Sequence, residues 1–195
     1  MEVTTLSYDN LHNHGRLFAE IFRARHRTFI QHNGWDLPQW DGMEFDQYDT
    51  PASRWVAVHD GGAVLAGVRL TPTVHRCGIY SYMIRDAQKG LLSAIPSDLL
   101  NFEAPVDPHI WESSRVFVSE DVPAAERLRV QMQLIHEMVV SARALGAVQL
   151  LGIIPEHAPR LARRVGLDCL PAGPVLQTGA MRSVCVTISM QTRLH

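Results

Sequence analysis

The sequence has few cysteines, no long apolar run and no excess of either charge, and each shortage argues against a class of function. Cys77, Cys169 and Cys185 are odd in number and far apart, with no C-x-x-C pair. They read as reduced packing thiols of a cytoplasmic protein rather than as a disulfide framework. The longest apolar stretches, VLAGV and AVQLLGII, are far too short for a bilayer, so no membrane span is expected. The opening MEVTTLSYDN lacks the basic start and apolar core of a signal peptide, which again points to the cytoplasm. A formal net charge of -2 gives no bulk attraction to nucleic acid. The chain also has no G-x-S-x-G, no internal repeat and no low-complexity segment, and Ser113 and Ser114 have no obvious His partner.

What is present suits one sizeable core. The chain has 195 residues, 46% of them hydrophobic and 19% charged, so a single domain over 1–195 is expected. Residues 11–30 read as a helix, with Phe18, Phe22, Arg25 and Phe29 at steps of four, three and four. Residues 31–54, rich in Gly, Pro, Trp and Asp, read as a long loop, and such loops are usually functional or mobile. RWVAVHDGGAVLAGVRLTPT gives two strands about Asp60-Gly61-Gly62. RDAQKGLLSAI reads as a short helix and WESSRVFVSE, residues 111–120, as a strand. Residues 123–145 form the clearest helix, with Pro123 in its first turn and Gly146 just past its end. Its apolar stripe is Leu128, Met132, Ile135, Met138, Ala142 and Leu145. AVQLLGII follows as a buried strand, HAPRLARRVG as a short basic helix and SVCVTISM as a last strand. This order predicts an α/β sandwich built on a mixed, largely antiparallel sheet.

One residue breaks the pattern. Arg25 lies on the buried stripe of the first helix, where a charge costs several kcal/mol unless it is paired. The nearest acids stand in GMEFDQYD, so the loop is expected to fold back until Arg25 meets Asp46 or Asp49. Arg69 ends LAGVR, and Glu112 and Arg115 share WESSRVFV, three apart and so on opposite faces unless a bulge intervenes. Three cations, Arg25, Arg69 and Arg115, thus stand against four acids, Glu44, Asp46, Asp49 and Glu112. Charges alone fit either an ion-pair network that pins the loop or a substrate site. Phe29, Trp35, Trp40 and Tyr82 tip the balance, because aromatic walls with convergent carboxylates suit a cationic ligand. A metal is disfavoured: D-x-x-E-x-D-x-x-D does not follow a calcium loop, and no His or Cys accompanies the acids at zinc-like spacing. His12 and His14, the nearest metal-like pair, read as a solvated helix face.

Taken together, RARHRTF, GW, GMEFDQYD, GVRLTPT and WESSRVFV resemble, in order and separation, the acyl-homoserine-lactone synthases, the LuxI-type autoinducer synthases of bacterial quorum sensing. The match covers about residues 20 to 120, and the helix–strand–helix that follows also fits. One departure is Tyr82, where the family usually has phenylalanine.

The resemblance implies a three-layer αβα sandwich similar to the GNAT acetyltransferases. It implies an enzyme that joins the amine of S-adenosylmethionine to an acyl chain carried as a thioester on acyl carrier protein. Ring closure then releases methylthioadenosine and an N-acyl-homoserine lactone, with no cofactor, since S-adenosylmethionine is a substrate. Glu44 and Asp46 become the candidate general bases, with Glu112 behind them. Arg25, Asp49, Arg69 and Arg115 become the holders, and Phe29, Trp35 and Tyr82, with Asp46 and Arg115, the contacts to S-adenosylmethionine. Met132, Ile135, Leu151, Gly152 and Ile153 are expected to line the acyl pocket. A family threonine marking 3-oxo chains falls on Gly152, which has no hydroxyl, so a non-oxo chain is expected. Arg143, Arg160, Arg163 and Arg164 either dock the acidic carrier protein or form a solvated face. Ordinary GNAT enzymes cradle coenzyme A pyrophosphate with a Gly-rich turn, and SEDVPAAERLRV has no glycine there, which disfavours an ordinary acetyltransferase. Two alternatives stay open: an acyl- or aryl-coenzyme A donor, or a GNAT-like binding module without turnover.

Overall fold

The β-rich runs RWVAVHD and AVLAGVRLTP form two strands that fold back at Gly61 and Gly62, whose φ values of 55° and 87° favour glycine. The computed structural model describes residues 1–164, 166–178 and 181–190. Its elements are β1 (Glu2–Leu6), α1 (Leu11–Arg25), a π-helical extension (His26–His32), β2 (Gln39–Trp40), β3 (Met43–Glu44), β4 (Arg54–Asp60) and β5 (Ala63–Pro72). These are followed by α2 (Met83–Gln88), β6 (Ile110–Val118), α3 (Ala124–Ala144), β7 (Gln149–Pro155), α4 (Ala158–Arg164), β8 (Cys169–Thr178) and β9 (Met181–Ser189).

Hydrogen-bonded strands follow the order β1-β4-β5-β6-β7-β9-β8. β6 and β7 pair in parallel, from Ile110↔Gln149 to Ser113↔Gly152. The pairs β1–β4, β4–β5, β7–β9 and β8–β9 are antiparallel. The sheet is therefore mixed and mostly antiparallel, as the element order predicts.

The sequence reading needs four corrections. β1 is missed because its burial shows no alternation. β8 is missed because two prolines and a glycine demote it as a strand, and its register with β9 does shift between Pro171 and Val175. The supposed loop 31–54 contains the hairpin β2–β3, whose two-residue strands are too short to show a period. Asp41 and Gly42 turn it with φ values of 51° and 70°, the positive pair a tight hairpin turn requires. On α3 the buried apolar residues are Val130, Leu134, Met138, Val139 and Ala142, whereas Leu128 is 69% exposed and Met132 and Ile135 are half-buried. Both series have helical spacing, and packing rather than period chooses between them.

Residue contacts divide the chain into two compact units, Met1–Leu70 with Arg115–Ser141, and Thr71–Ser114 with Ala142–His195. The first unit is centred on Trp55, with Phe18 and Phe22 edge-on to its ring and Leu6, Ile21, Phe29 and Phe117 completing the core. Burying each such side chain contributes about 1.5–3 kcal/mol. The second unit packs Tyr82, Ile84, Leu99, Leu151, Leu176 and Cys185.

Gly173 on β8 lets the chain at Leu99 approach so closely that a Cβ there would lie 2.0 Å from the Leu99 carbonyl oxygen. Asn101 N–H donates to Ala172 O at 2.9 Å across the same contact. Gly15, on α1, has open space around it. Gly173→Ala should therefore cost at least 1–3 kcal/mol, roughly, and lower the thermal midpoint by several degrees. Gly15→Ala should raise it slightly, because alanine favours a helix by about 1 kcal/mol over glycine. Equal midpoints for the two variants would contradict the close approach.

Candidate active site

The buried arginine of α1 finds two acids. Arg25 Nε donates to Glu44 Oε2 at 2.6 Å, and its Nη1 and Nη2 donate to Asp49 Oδ1 and Oδ2 at 2.7 and 2.9 Å. Asp49 is one of the two partners expected, and the second partner is Glu44 rather than Asp46. Asp46 meets the other two arginines instead: Oδ1 accepts from Arg69 Nη1, and Oδ2 accepts from Arg115 Nη2 at 2.7 Å. Arg69 Nη1 lies 3.0 Å from Asp49 Oδ1, and Arg115 Nε donates to Glu44 Oε1 at 3.2 Å. The six groups close a ring in which charges alternate: Arg25, Glu44, Arg115, Asp46, Arg69, Asp49 and back to Arg25.

Local structure prepares each member. The β2–β3 hairpin delivers Glu44 to the interior, where it is fully buried. The next residues fold on themselves: Asp46 N–H donates to Asp49 Oδ2 at 2.8 Å, Asp49 N–H to Asp46 O at 3.0 Å, and Tyr48 N–H to Asp46 Oδ1 at 2.9 Å. Ser53 Oγ donates to Tyr48 O at 2.6 Å and pins the end of this turn. Arg115 has a φ of 53°, a backbone state that breaks the pleat of β6, which is the irregularity that the Glu112–Arg115 spacing calls for.

Burial acts on these groups, and the ring overrules it. Burial pulls the Arg25 guanidinium down, but Asp49 and Glu44 more than compensate and its pKa is raised. Burial pushes the Asp49 carboxyl up, yet Arg69 and Arg25 hold it well below the usual carboxylate range.

An aromatic wall adjoins the ring. Phe29, on the π-helical extension, stacks on Trp35 with centroids 5.1 Å apart and planes 14° apart. Arg115 lies over the Phe29 ring at 5.8 Å, and Arg69 over Tyr48 at 5.6 Å. Gly34, at a φ of 68°, turns the chain so that Trp35 N–H donates to Phe29 O at 2.9 Å. Trp35 is 37% exposed, so it has a face to offer a ligand, whereas Phe29 is enclosed.

The remaining expected residues belong to the second unit, apart from Met132 and Ile135, which belong to the first. Glu112 is fully buried, and its carboxylate accepts Ile84 N–H at 2.7 Å and Met83 N–H at 3.3 Å, capping the start of α2. The Tyr82 ring lies wholly in the core, with its hydroxyl donating to Pro105 O at 2.6 Å. Leu151 and Gly152 are buried and Ile153 is half-buried. A Cβ on Gly152 would lie 2.7 Å from Ser113 Oγ, which donates to Leu151 O at 3.2 Å. Arg143 Nε donates to Met190 O at 2.7 Å, Arg160 and Arg163 are exposed, and the side chain of Arg164 lies outside the described residues. Burial raises the Cys169 thiol to about 11, and burial together with Glu112 raises Cys185 to about 12, which suits packing thiols.

Two contributors escape sequence reading. Trp55 Nε1 donates to Asp49 Oδ1 at 3.0 Å, but its place in the apolar run WVAV marks it only as core. Tyr48 supplies a ring and an N–H from between the two aspartates, where only its position hints at a role. Among the described residues no group of three or more His, Cys, Asp or Glu is placed to hold a metal, and no helix is long and apolar enough to cross a membrane.

The fold has counterparts among solved structures. TofI, in a ternary complex with an inhibitor and MTA, is 28% identical with a TM-score of 0.76, over 97% of this chain and 92% of that one. BjaI, described as a CoA-dependent acyl-homoserine lactone synthase with SAM and isopentyl-CoA, shares the fold at 24% identity and a TM-score of 0.78, over 97% and 83% of the two chains. The family model described as Autoinducer synthase matches residues 9–191, and the chain belongs to that family. An acyl-homoserine-lactone synthase of Ralstonia solanacearum is 30% identical over 189 residues, 92% of this chain and 87% of that enzyme. One from Pseudomonas aeruginosa is 29% identical over 161 residues, 81% and 72% of the two chains.

The ring generates a stability prediction. Arg25→Met leaves Glu44 and Asp49 short of a buried cation and should cost about 3–5 kcal/mol in denaturant unfolding. Because the folded-state pKa of Asp49 is depressed, its contribution is present at neutral pH and fades as pH falls below the ordinary 3.8. Stability measured from pH 7 down to acid should therefore drop below about pH 4, and less steeply in Asp49→Asn. An equally steep drop in that variant would count against the assignment.

Proposed function

We propose that the chain is an acyl-homoserine-lactone synthase that takes its acyl group from an acyl carrier protein thioester. The observation that carries this reading is the closed arginine–carboxylate ring beside the exposed face of Trp35, in a chain of the autoinducer synthase family.

S-adenosylmethionine carries a sulfonium, an ammonium and a carboxylate. The sulfonium suits the Trp35 face. The ring is balanced, so it holds geometry rather than simply attracting charge, and its acids divide by burial and by their further hydrogen bonds. Glu44, with 0% side-chain exposure, serves as a holder with Arg25 and Asp49. Asp46 and Asp49 are equally exposed, but Asp49 is taken up by the Arg25 fork, by Trp55 Nε1 and by Asp46 N–H, so Asp46 is assigned to meet the amine and accept its proton directly or through water. Glu112 acts through the backbone it caps.

The ammonium loses one proton to become a nucleophile. Its nitrogen attacks the thioester carbonyl carbon, the carbon–sulfur bond breaks, and the departing thiolate takes up the second proton. The substrate carboxylate then attacks the carbon bonded to sulfonium. That bond breaks, releasing neutral methylthioadenosine and closing the lactone. This second step needs little beyond holding the carboxylate in line. The acyl chain is assigned to Leu151, Gly152 and Ile153, and the carrier protein to Arg143, Arg160, Arg163 and Arg164.

Incubated with S-adenosylmethionine and an acyl carrier protein thioester, the protein should release methylthioadenosine and lactone together, read by mass spectrometry. Asp46→Asn should lose product by about 10²-fold or more while remaining folded by circular dichroism. Trp35→Ala should raise KM for S-adenosylmethionine more than it lowers kcat. Near-native turnover in Asp46→Asn would overturn the division of roles.

A further inference from the structure

We infer that Trp55 is a positioning residue for the acyl transfer: its indole N–H locks the Asp49 carboxylate, and Asp49 in turn holds the backbone that presents Asp46. The inference rests on the assignment of Asp46 as proton acceptor made above. A core tryptophan needs an apolar setting for its rings and one acceptor for its N–H. Trp55 is fully buried, with Phe18 and Phe22 edge-on at 5.0 and 5.9 Å and Tyr8 tilted at 6.0 Å. Its backbone lies between two strands, opposite Leu6 on β1 and Arg69 on β5. Clamped in this way, the indole is a fixed point. Its acceptor is no core carbonyl but a member of the ion-pair ring, Asp49 Oδ1 at 3.0 Å.

That contact completes Asp49. Oδ1 accepts from Arg25 Nη1 at 2.7 Å and from the indole, and lies 3.0 Å from Arg69 Nη1. Oδ2 accepts from Arg25 Nη2 at 2.9 Å and from Asp46 N–H at 2.8 Å. An ionised carboxylate has about four lone-pair sites, so these donors leave none over for a substrate. Asp46 differs. Among the described residues its Oδ2 accepts one donor, Arg115 Nη2 at 2.7 Å, which leaves a site for the amine. The backbone around it is tied to Asp49 twice, through Asp46 N–H on Oδ2 and through Asp49 N–H on Asp46 O at 3.0 Å. Where Asp49 goes, Asp46 follows.

The arginines cannot set this position alone. Each guanidinium ends a long side chain, and a carboxylate and its fork can tilt together, whereas the indole is held by the core and by the register of β4 between β1 and β5. Because Trp55 and Arg69 are cross-strand partners, they meet Asp49 Oδ1 from one face of the sheet. Losing the N–H while keeping the bicycle leaves Asp49 free to shift within the fork, and the Asp46 carboxylate moves with it. Such a displacement lowers the rate of the reacting step and leaves the Trp35 face, assigned to the sulfonium, untouched.

Replacing Trp55 in the full chain by benzothienylalanine, which keeps the bicyclic shape and puts sulfur in place of N–H, tests this. The Asp46 amide proton, followed by NMR, should shift and exchange faster with solvent, and an unchanged Asp46 amide would overturn the inference. From the other end, Asp49→Asn should move the Trp55 indole proton upfield, and an unmoved resonance overturns it too. In turnover, kcat of the analogue should fall about threefold to tenfold, with KM for S-adenosylmethionine held within about twofold. Phe18→Leu, which loosens the core about the indole but keeps its N–H, should lower the thermal midpoint and leave kcat within about twofold. An equal loss of kcat in Phe18→Leu would make packing the cause and overturn the positioning role. Native turnover in Asp46→Asn would instead sink the assignment of Asp46, on which the two NMR measurements do not depend.

Discussion

The ring of three guanidiniums and three carboxylates is the constraint on which the first unit is organised. Arg25 is 1% exposed, and an isolated cation at that depth would not be tolerated. It must bring Glu44 and Asp49 inward, and each of those acids needs a second cation. Arg69 and Arg115 answer that need, and Asp46 joins them to close the circuit. Opening any one link leaves two charges half-compensated, so the ring behaves as a unit rather than as a set of pairs. The backbone between Gly42 and Trp55 has little other reason to be ordered, having only a two-residue strand and a series of turns.

A balanced ring changes what its acids can do. A carboxylate shared by two guanidiniums is a poor attractor of further cations, so crowding acids does not by itself make a cation site. What such a ring does well is fix positions. It sets the Asp46 carboxylate, the Arg115 guanidinium over Phe29 and the Phe29–Trp35 stack in one rigid arrangement. Amide formation followed by ring closure needs alignment of reacting atoms more than strong acid–base chemistry, and alignment is what a buried ion network supplies.

Much of this was legible in the residues because a charge within an apolar stripe has few explanations. Arg25 announced that an acid would come to it, and the hairpin about Asp60-Gly61-Gly62 and the mixed sheet followed from period and turn chemistry. What was not legible depended on choices that spacing leaves open. Nothing in the string GMEFDQYD says that Glu44 rather than Asp46 pairs with Arg25; the two-residue strands β2 and β3 decide it. Nothing in IWESSRV says that Arg115 takes a positive φ, although the three-residue interval to Glu112 required some break. Trp55 looked like core and is core, and its indole N–H reaches Asp49 only because β4 sits where it does. β8 was hidden by its prolines, which an edge strand tolerates.

The π-helical extension shows how a small change of pitch serves the site. Over four residues an α-helix turns by about 400°, which would carry Phe29 some 40° past the line of Arg25. With hydrogen bonds reaching one residue further, the same four residues turn through less. The last bonds of the extension confirm the widening, since Asn33 N–H donates to Thr28 O at 3.0 Å. Thr28 and Phe29 are both buried as a result, and Phe29 comes within reach of Phe117 and Arg115 together. A regular α-helix through Phe29 would still bury an apolar stripe, but the stack with Trp35 depends on the turn at Gly34 that closes the wider helix. The unusual helix is therefore better explained by the site than by the core.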